Sequence, residues 1–338
     1  MTSPRHSISV HYARTFLAGL ERRGYDCDPI LQRAGLHRRL LHNAQVRITP
    51  YQLSTLVQEA WRLSDDEFVC LGSRPSRFGI FPLMARQALH GSTLRSVYRR
   101  SCHFYNLVSE AVQFRFEEDG DVARLSLTLA RPELDPDHTL CEFLLLIWHR
   151  FPSWMIGRRI PLRRISFSFS RPGHAAEYRL MFPAPVEYDQ ACDGFEFSRE
   201  LLNAPIVQTP SNLRTYMNRA PLDWFSRQAY YPIFTRRVLD QLEQSDSLAT
   251  ATMEEIATAM HTTTRTLRRK LTDEGTSFQD IKDGLRRDTA IHLLSQPSEP
   301  VAAIARTLGF SEPSAFTRAF KHWTGVAPSA YRKTAASE

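Results

Sequence analysis

From Leu248 onward the chain states one organisation twice, and this repetition constrains the fold more than any other feature. The first copy runs Thr252-Met253-Glu254-Glu255-Ile256-Ala257, then Met260, then Thr263 to Leu271. The second runs Pro300-Val301-Ala302-Ala303-Ile304-Ala305, then Leu308, then Ser311 to Phe320. Each reads as a short helix, a tight turn and a second helix. Ile256 and Met260 stand one helical turn apart, as do Ile304 and Leu308. Those pairs are placed to pack on Leu267 and Leu271 in the first copy, and on Phe316 and Phe320 in the second.

Capping signals agree with these boundaries. Thr252 with Glu255 forms a capping box. Thr276 with Gln279 predicts another, opening a long helix that ends near Leu294. Thr263 and Ser311 are expected to cap the two second helices, and Gly275 and Gly325 to close them. The long helix, with Phe278, Ile281 and Leu285 on one face, joins the two units at a fixed separation.

Two such units on one rod suit B-DNA, whose successive major grooves on one face lie about 34 Å apart. With Leu267 and Leu271 turned to the core, Arg265, Arg268 and Arg269 point mostly outward. Arginine makes bidentate bonds to guanine O6 and N7. In the second copy Ser314 and Arg318 take the outward face, with Lys321 near the DNA backbone. Thr263 and Ser311 complete the candidate DNA-contacting set. The competing reading is a solvated helix face. Overall basicity does not decide between them. The net charge is +7 for the whole chain, yet residues 233–333 hold 14 Lys/Arg against 12 Asp/Glu. The charges are sorted instead: acids at Asp240, Glu243, Asp246, Glu254 and Glu255, bases on the reading helix.

The upstream half mixes periods. Val10 to Arg23 and Tyr51 to Leu63 repeat apolar residues at helical spacing. Ser92 opens a helix with Leu94, Val97, Tyr98, Cys102, Tyr105 and Val108 on one face. A hairpin follows, with Val112 to Phe116 and Val122 to Leu127 alternating around an Asp119-Gly120 turn. Ile165 to Phe169 alternates again, and Tyr178 to Phe182 reads as a short strand. Leu140 to Ile156 is the most apolar stretch, but Glu142, His149, Arg150 and Pro152 make it a buried helix rather than a membrane span. The expected fold class is α+β upstream, with a partly antiparallel sheet, and all-α downstream. Ala204 to Pro232, with four prolines, marks the join. The expected domains are 1–210 for sensing and dimerisation, 211–232 as linker, and 233–334 as the dual helix-turn-helix domain.

The C-terminal motif Gly309-Phe310-Ser311-Glu312-Pro313-Ser314-Ala315-Phe316-Thr317-Arg318-Ala319-Phe320-Lys321, followed by Trp323-Thr324-Gly325 and Pro328-Ser329-Ala330-Tyr331-Arg332, resembles the AraC/XylS family of transcription regulators. Thr264 to Leu271, Gly275 to Phe278 and Leu285 to Ala290 resemble it too. Gly79 to Met84 and Gly91 to Leu94 resemble a subgroup with a long N-terminal sensing domain. The resemblance implies a regulator of promoter DNA with a small-molecule effector, a homodimer, and possible contact with RNA polymerase. It implies base contacts at Arg265, Arg268, Arg269, Ser314 and Arg318. There are departures. His261 and Thr262 stand where the family often has glycine and an apolar residue. Ala327 stands where a Ser or Thr often caps the last helix, and Pro313 where some members contact a base.

An effector pocket could use Tyr98, Cys102 and Tyr105 as walls and Arg95 as a carboxylate anchor. The competing reading makes those residues core and Arg95 solvated. The five cysteines are scattered and form no C-x-x-C pair, so no metal, cofactor or disulfide framework is expected. No signal peptide is evident, and a cytoplasmic protein is expected. Catalysis finds no support: there is no phosphate loop, no G-x-S-x-G and no H-E-x-x-H. Glu142 and His149, seven apart, are the nearest to a catalytic pair. Two alternatives stay open, an architectural DNA binder without a ligand and an enzyme domain fused to a DNA-binding domain.

Overall fold

The computed structural model describes residues 6–182, 184–225, 233–244, 251–274, 276–296 and 299–336. The chain divides into two compact units that do not follow its linear order. One holds Tyr12–Ile30 and Ser54–Phe225; the other holds Met1–His11, Leu31–Leu53 and Ser226–Glu338. The strands in chain order are β1 (Ile8–Ser9), β2 (Arg47–Ile48), β3 (Val112–Asp119), β4 (Val122–Leu129), β5 (Leu162–Ser166), β6 (Val186–Glu187) and β7 (Asp193–Ser198).

The first unit is α+β. Its five strands run in the order β3-β4-β7-β5-β6, antiparallel except for the β5–β6 pair. The β3–β4 hairpin is in register from Val112↔Leu129 to Asp119↔Val122. Asp119 therefore pairs, and the two-residue turn is Gly120-Asp121, one position later than expected. Gly120 sits at φ +53°, which glycine reaches without a Cβ clash. Val112 and Phe114 on β3, and Ala123, Leu125 and Leu127 on β4, are buried, as alternation requires. Helix Leu94–Val108 packs on β3, with Tyr98 stacked on Phe116. Helix Thr139–Met155 is buried along nearly its whole length, which explains its lack of a polar face. Tyr178–Met181 is a helical turn, not the expected strand. Tyr178 and Phe182 are both fully buried, and a spacing of four suits a helix as well as a strand. The Phe182 N–H donates to the Tyr178 carbonyl at 2.7 Å, which settles the choice.

The expected linker is helical at Pro210–Arg219 and Leu222–Phe225; residues 226–232 lie outside the described set. The second unit holds the repeat. It also holds the β1–β2 ribbon, paired Ile8↔Ile48 and Ser9↔Arg47. Connector helix Phe278–Leu294 packs against Ile233–Gln244, Val301–Thr307, Pro313–Thr324 and Pro328–Ala336.

Candidate nucleic-acid interface

The first helix-turn-helix is built from Met253–Ala259 and Thr264–Asp273. Thr252 and Glu255 form the expected capping box, with hydrogen bonds of 3.2 and 2.9 Å. Thr263 caps the second helix, its Oγ1 accepting from the Thr266 N–H at 3.2 Å. Leu267 and Leu271 are buried against Ile256, Ala257 and Met260, with Val238, Leu239 and Leu242 completing the core. The turn passes through His261 at φ 53°, a left-handed conformation. Glycine holds the matching place in the second unit: Gly309 is at φ 80°. Gly275, the expected end of the helix, lies outside the described residues.

The second helix-turn-helix is Val301–Thr307 and Pro313–Thr324. Its core is aromatic. Phe316 packs tilted against Phe310 and Phe320, and Phe320 meets Tyr331 edge-on. Ser311 does not cap this helix. Glu312 is the N-cap, without a side-chain bond, because Pro313 supplies the first helical residue. Proline there needs no partner for a missing N–H and is already at helical φ. Gly325 ends the helix at φ 74°, as expected, donating to the Lys321 carbonyl at 2.8 Å.

The connector helix is capped one residue later than expected, by Ser277 with Asp280, each bond 3.1 Å. The Thr276 N–H is already spent on the Leu271 carbonyl at 2.9 Å. Asp280 also places its charge in the first helical turn, where the helix dipole favours an anion.

On the outward faces Arg265, Arg268 and Arg269 are exposed, as are Ser311, Ser314, Arg318 and Lys321. Among the described residues no acidic side chain pairs with Arg265, Arg268, Arg269 or Arg318. Lys270 is turned away, its ammonium 5.6 Å from the Phe234 ring. The exposed arginines remain free to meet phosphate or base edges.

Two braces were not visible in the sequence. Glu274 accepts from the Phe234 and Thr235 N–H groups at 3.0 and 2.8 Å, and from the Thr235 hydroxyl at 2.7 Å. It thereby caps helix Ile233–Gln244 and ties it to helix Thr264–Asp273. The second brace comes from the chain's beginning. The Ser7 hydroxyl donates to Asp288 at 2.6 Å and accepts from Arg47 Nε at 2.8 Å. The Tyr331 hydroxyl donates to the Arg47 carbonyl at 3.1 Å. A Cβ at Gly325 would lie 2.4 Å from Asn43 Nδ2, so this glycine is needed for the close approach as well as for its φ.

In the sheet-bearing unit the four candidate pocket residues separate. Arg95 binds Glu118 at 3.1 Å and Asn203 at 2.8 Å. Tyr98 is core, its hydroxyl on the Trp148 carbonyl at 3.3 Å. Cys102 is buried, and burial pushes its thiol up to about 12. Tyr105 alone of the four lines a cavity of ≈ 220 Å³. Glu142 and His149 do not act as a pair. Glu142 is held by Tyr12, His174 and Tyr178, while His149 Nε2 meets the Ile160 carbonyl at 2.8 Å. Burial pushes His149 down to about 4, so it is neutral. Among the described residues no helix is long and apolar enough to cross a membrane.

Comparison with known proteins agrees with this geometry. Residues 24–206 match the family described as the arabinose-binding N-terminal domain of AraC transcription regulators. Residues 256–334 match a helix-turn-helix domain family. The chain is 24% identical over 332 residues to the ornithine utilization regulator of Pseudomonas aeruginosa, covering 96% of each protein. It is 28% identical over 179 residues to the HTH-type transcriptional regulator VirS of Mycobacterium tuberculosis, covering 52% of this chain and 51% of that one. The structure of the transcriptional regulator CdpR from Pseudomonas aeruginosa aligns over 95% of this chain and 97% of that one, at 20% identity. The TM-score of that alignment is 0.30. The first family match spans more than half of the chain and the second falls on the repeat, so this chain belongs to the AraC family: a DNA-binding transcription regulator with an N-terminal ligand-binding domain.

Proposed function

We propose that this protein reads an operator through two adjacent major grooves on one face of the duplex, and that a small-molecule effector controls the reading. The observation that carries this is the matched pair of outward faces. Two helix-turn-helix units share one connector helix, and each presents exposed side chains able to reach DNA. Arg265, Arg268 and Arg269 read one block, with Thr263 near the backbone. Ser314 and Arg318 read the other, with Ser311 and Lys321 at phosphates. Each bidentate arginine–guanine pair contributes about 1–3 kcal/mol of discrimination. The sheet-bearing unit binds the effector and mediates a homodimer, which places two such sites at one promoter. An effector that binds one dimer geometry more tightly shifts the population toward it. The bound protein acts in the cytoplasm and is positioned to meet RNA polymerase.

Hydroxyl-radical footprinting on a selected operator tests the geometry. The proposal expects two protected patches on one face, about one helical turn apart. A single continuous patch that follows no sequence is the result expected of an architectural binder.

A further inference from the structure

The ≈ 220 Å³ cavity of the sheet-bearing unit is an aromatic box with an acid in it. Trp61, Phe81 and Phe143 stand around Trp224 at interplanar angles of 65°, 78° and 65°. All four residues line the cavity. The acid is Glu67, 8% exposed. Its Oε1 accepts from the Gly79 and Phe81 N–H groups at 2.9 and 3.1 Å, and its Oε2 from Phe81 at 3.0 Å. Among the described lining residues the one cation is Arg62, which is exposed and already paired with Glu59. Glu67 therefore lines the cavity with no cationic side chain bonded to it among the described residues, its carboxylate held only by amides at the start of helix Ile80–Leu89. Burial pushes its carboxyl up to about 8, against the pull of the two amides, and Asp66 and Asp65 push the same way.

A desolvated carboxyl beside aromatic faces selects for positive charge. Ring quadrupoles attract a cation within about 6 Å, most strongly when it has lost its water. An anion would meet the same quadrupoles as repulsion, joined by the Glu67 carboxylate once that group ionises. We propose that this cavity binds an organic cation: a substituted ammonium whose charge lies between Glu67 and the ring faces, with its apolar body against Leu144 and Ile147. The proposal rests on the reading of this unit as the ligand-binding one, and names the class of its ligand. On binding at neutral pH the Glu67 carboxyl releases its proton to solvent, so that the pair forms with charges balanced.

The charged and titratable neighbours do not confuse that prediction. Arg62, from helix Pro50–Ser64, is exposed and paired with Glu59. Tyr105, from helix Leu94–Val108, is held neutral by burial. Asp65 adjoins on the same segment. Asp66 accepts from the Phe68, Cys70 and Ser76 amides and does not line the cavity.

The test is tryptophan fluorescence of the full chain, since Trp61, Trp148 and Trp224 line the site. The probes are benzyltrimethylammonium, charged at every pH, its neutral isostere neopentylbenzene, and phenylacetate. The cation should bind at least about tenfold tighter than either of the others, and its affinity should rise about tenfold between about pH 7 and about pH 9 as Glu67 ionises. Glu67→Gln should flatten that profile. The wild-type profile stands alone as evidence should the variant fold poorly. Equal binding of neopentylbenzene, tighter binding of phenylacetate, or no binding of any probe overturns the proposal. Sequence-specific DNA binding, measured on the same preparation, separates the two readings. Its absence alongside cation binding sinks the regulator and spares the cavity, and the converse does the reverse.

Discussion

The two helix-turn-helix units have the same plan and are held by different means. The first has an aliphatic core and is braced from within its own neighbourhood, by Glu274 on helix Ile233–Gln244. The second has an aromatic core and is braced by residues from the other end of the chain, through Ser7 on Asp288 and Arg47 on Tyr331. The first turn tolerates a left-handed histidine, and the second uses glycine. Helix Thr264–Asp273 has a side-chain cap, and helix Pro313–Thr324 starts on a proline. The lesson is that a duplicated motif preserves its apolar spacing while each copy solves its termini and supports separately. A DNA-binding unit that borrows its brace from N-terminal residues also has its rigidity tied to them.

The largest expected break is in the aromatic core. Phe320→Ala should cost about 3–5 kcal/mol and unfold the second unit, as judged by denaturant unfolding followed at Trp323. Leu267→Ala should cost about 2–5 kcal/mol and act on the first. Next come the braces. Asp288→Ala removes charge-assisted bonds at a buried site and should cost about 2 kcal/mol. Hydrogen exchange should rise in helix Pro328–Ala336 and not in Thr264–Asp273, whereas Glu274→Ala should show the opposite pattern. Equal effects of the two variants on both units would erase the distinction drawn between the braces.

The turns should respond with opposite signs. Gly309→Ala should lose about 1–2 kcal/mol, the penalty for a left-handed non-glycine residue. His261→Gly relieves the same penalty and should raise the melting temperature, by less, because glycine loses more freedom on folding. The smallest difference is at the caps. Thr263→Ala should cost about 1 kcal/mol, while Ser311→Ala should cost close to nothing because Ser311 caps no helix. A thermal melt that gives the two the same loss would show that Ser311 supports its helix after all.

Much of this architecture was legible in the chain. The repeat, its helix boundaries, the Thr252 and Thr263 caps and the buried leucines and phenylalanines all follow from spacing and local chemistry, which act within a few residues. So does the β3–β4 hairpin. What escaped was of two kinds. Where two local rules competed, the chosen one failed by a residue or by a class. Ser277-Asp280 won over Thr276-Gln279, and Tyr178 to Phe182 satisfied both a helical and an extended spacing. Where the partners were remote, nothing local could announce them. Ser7 and Asp288 stand 281 positions apart, and Asp288 reads as one more polar residue on an amphipathic helix. The cavity shows the same limit. Tyr105 lay on a face that spacing could find, but Trp61, Glu67, Phe143 and Trp224 come from separate segments that only the fold assembles.

On the proposed reading the two units recognise separate blocks of one operator. Selection of binding sites from a random DNA pool, run on wild type, Arg268→Ala and Arg318→Ala, tests it most directly. The wild type should enrich two short blocks about one helical turn apart, and each variant should relax a base position in one block only, at a cost of about 1–3 kcal/mol. A single enriched block, or two variants that degrade the same block, would contradict it.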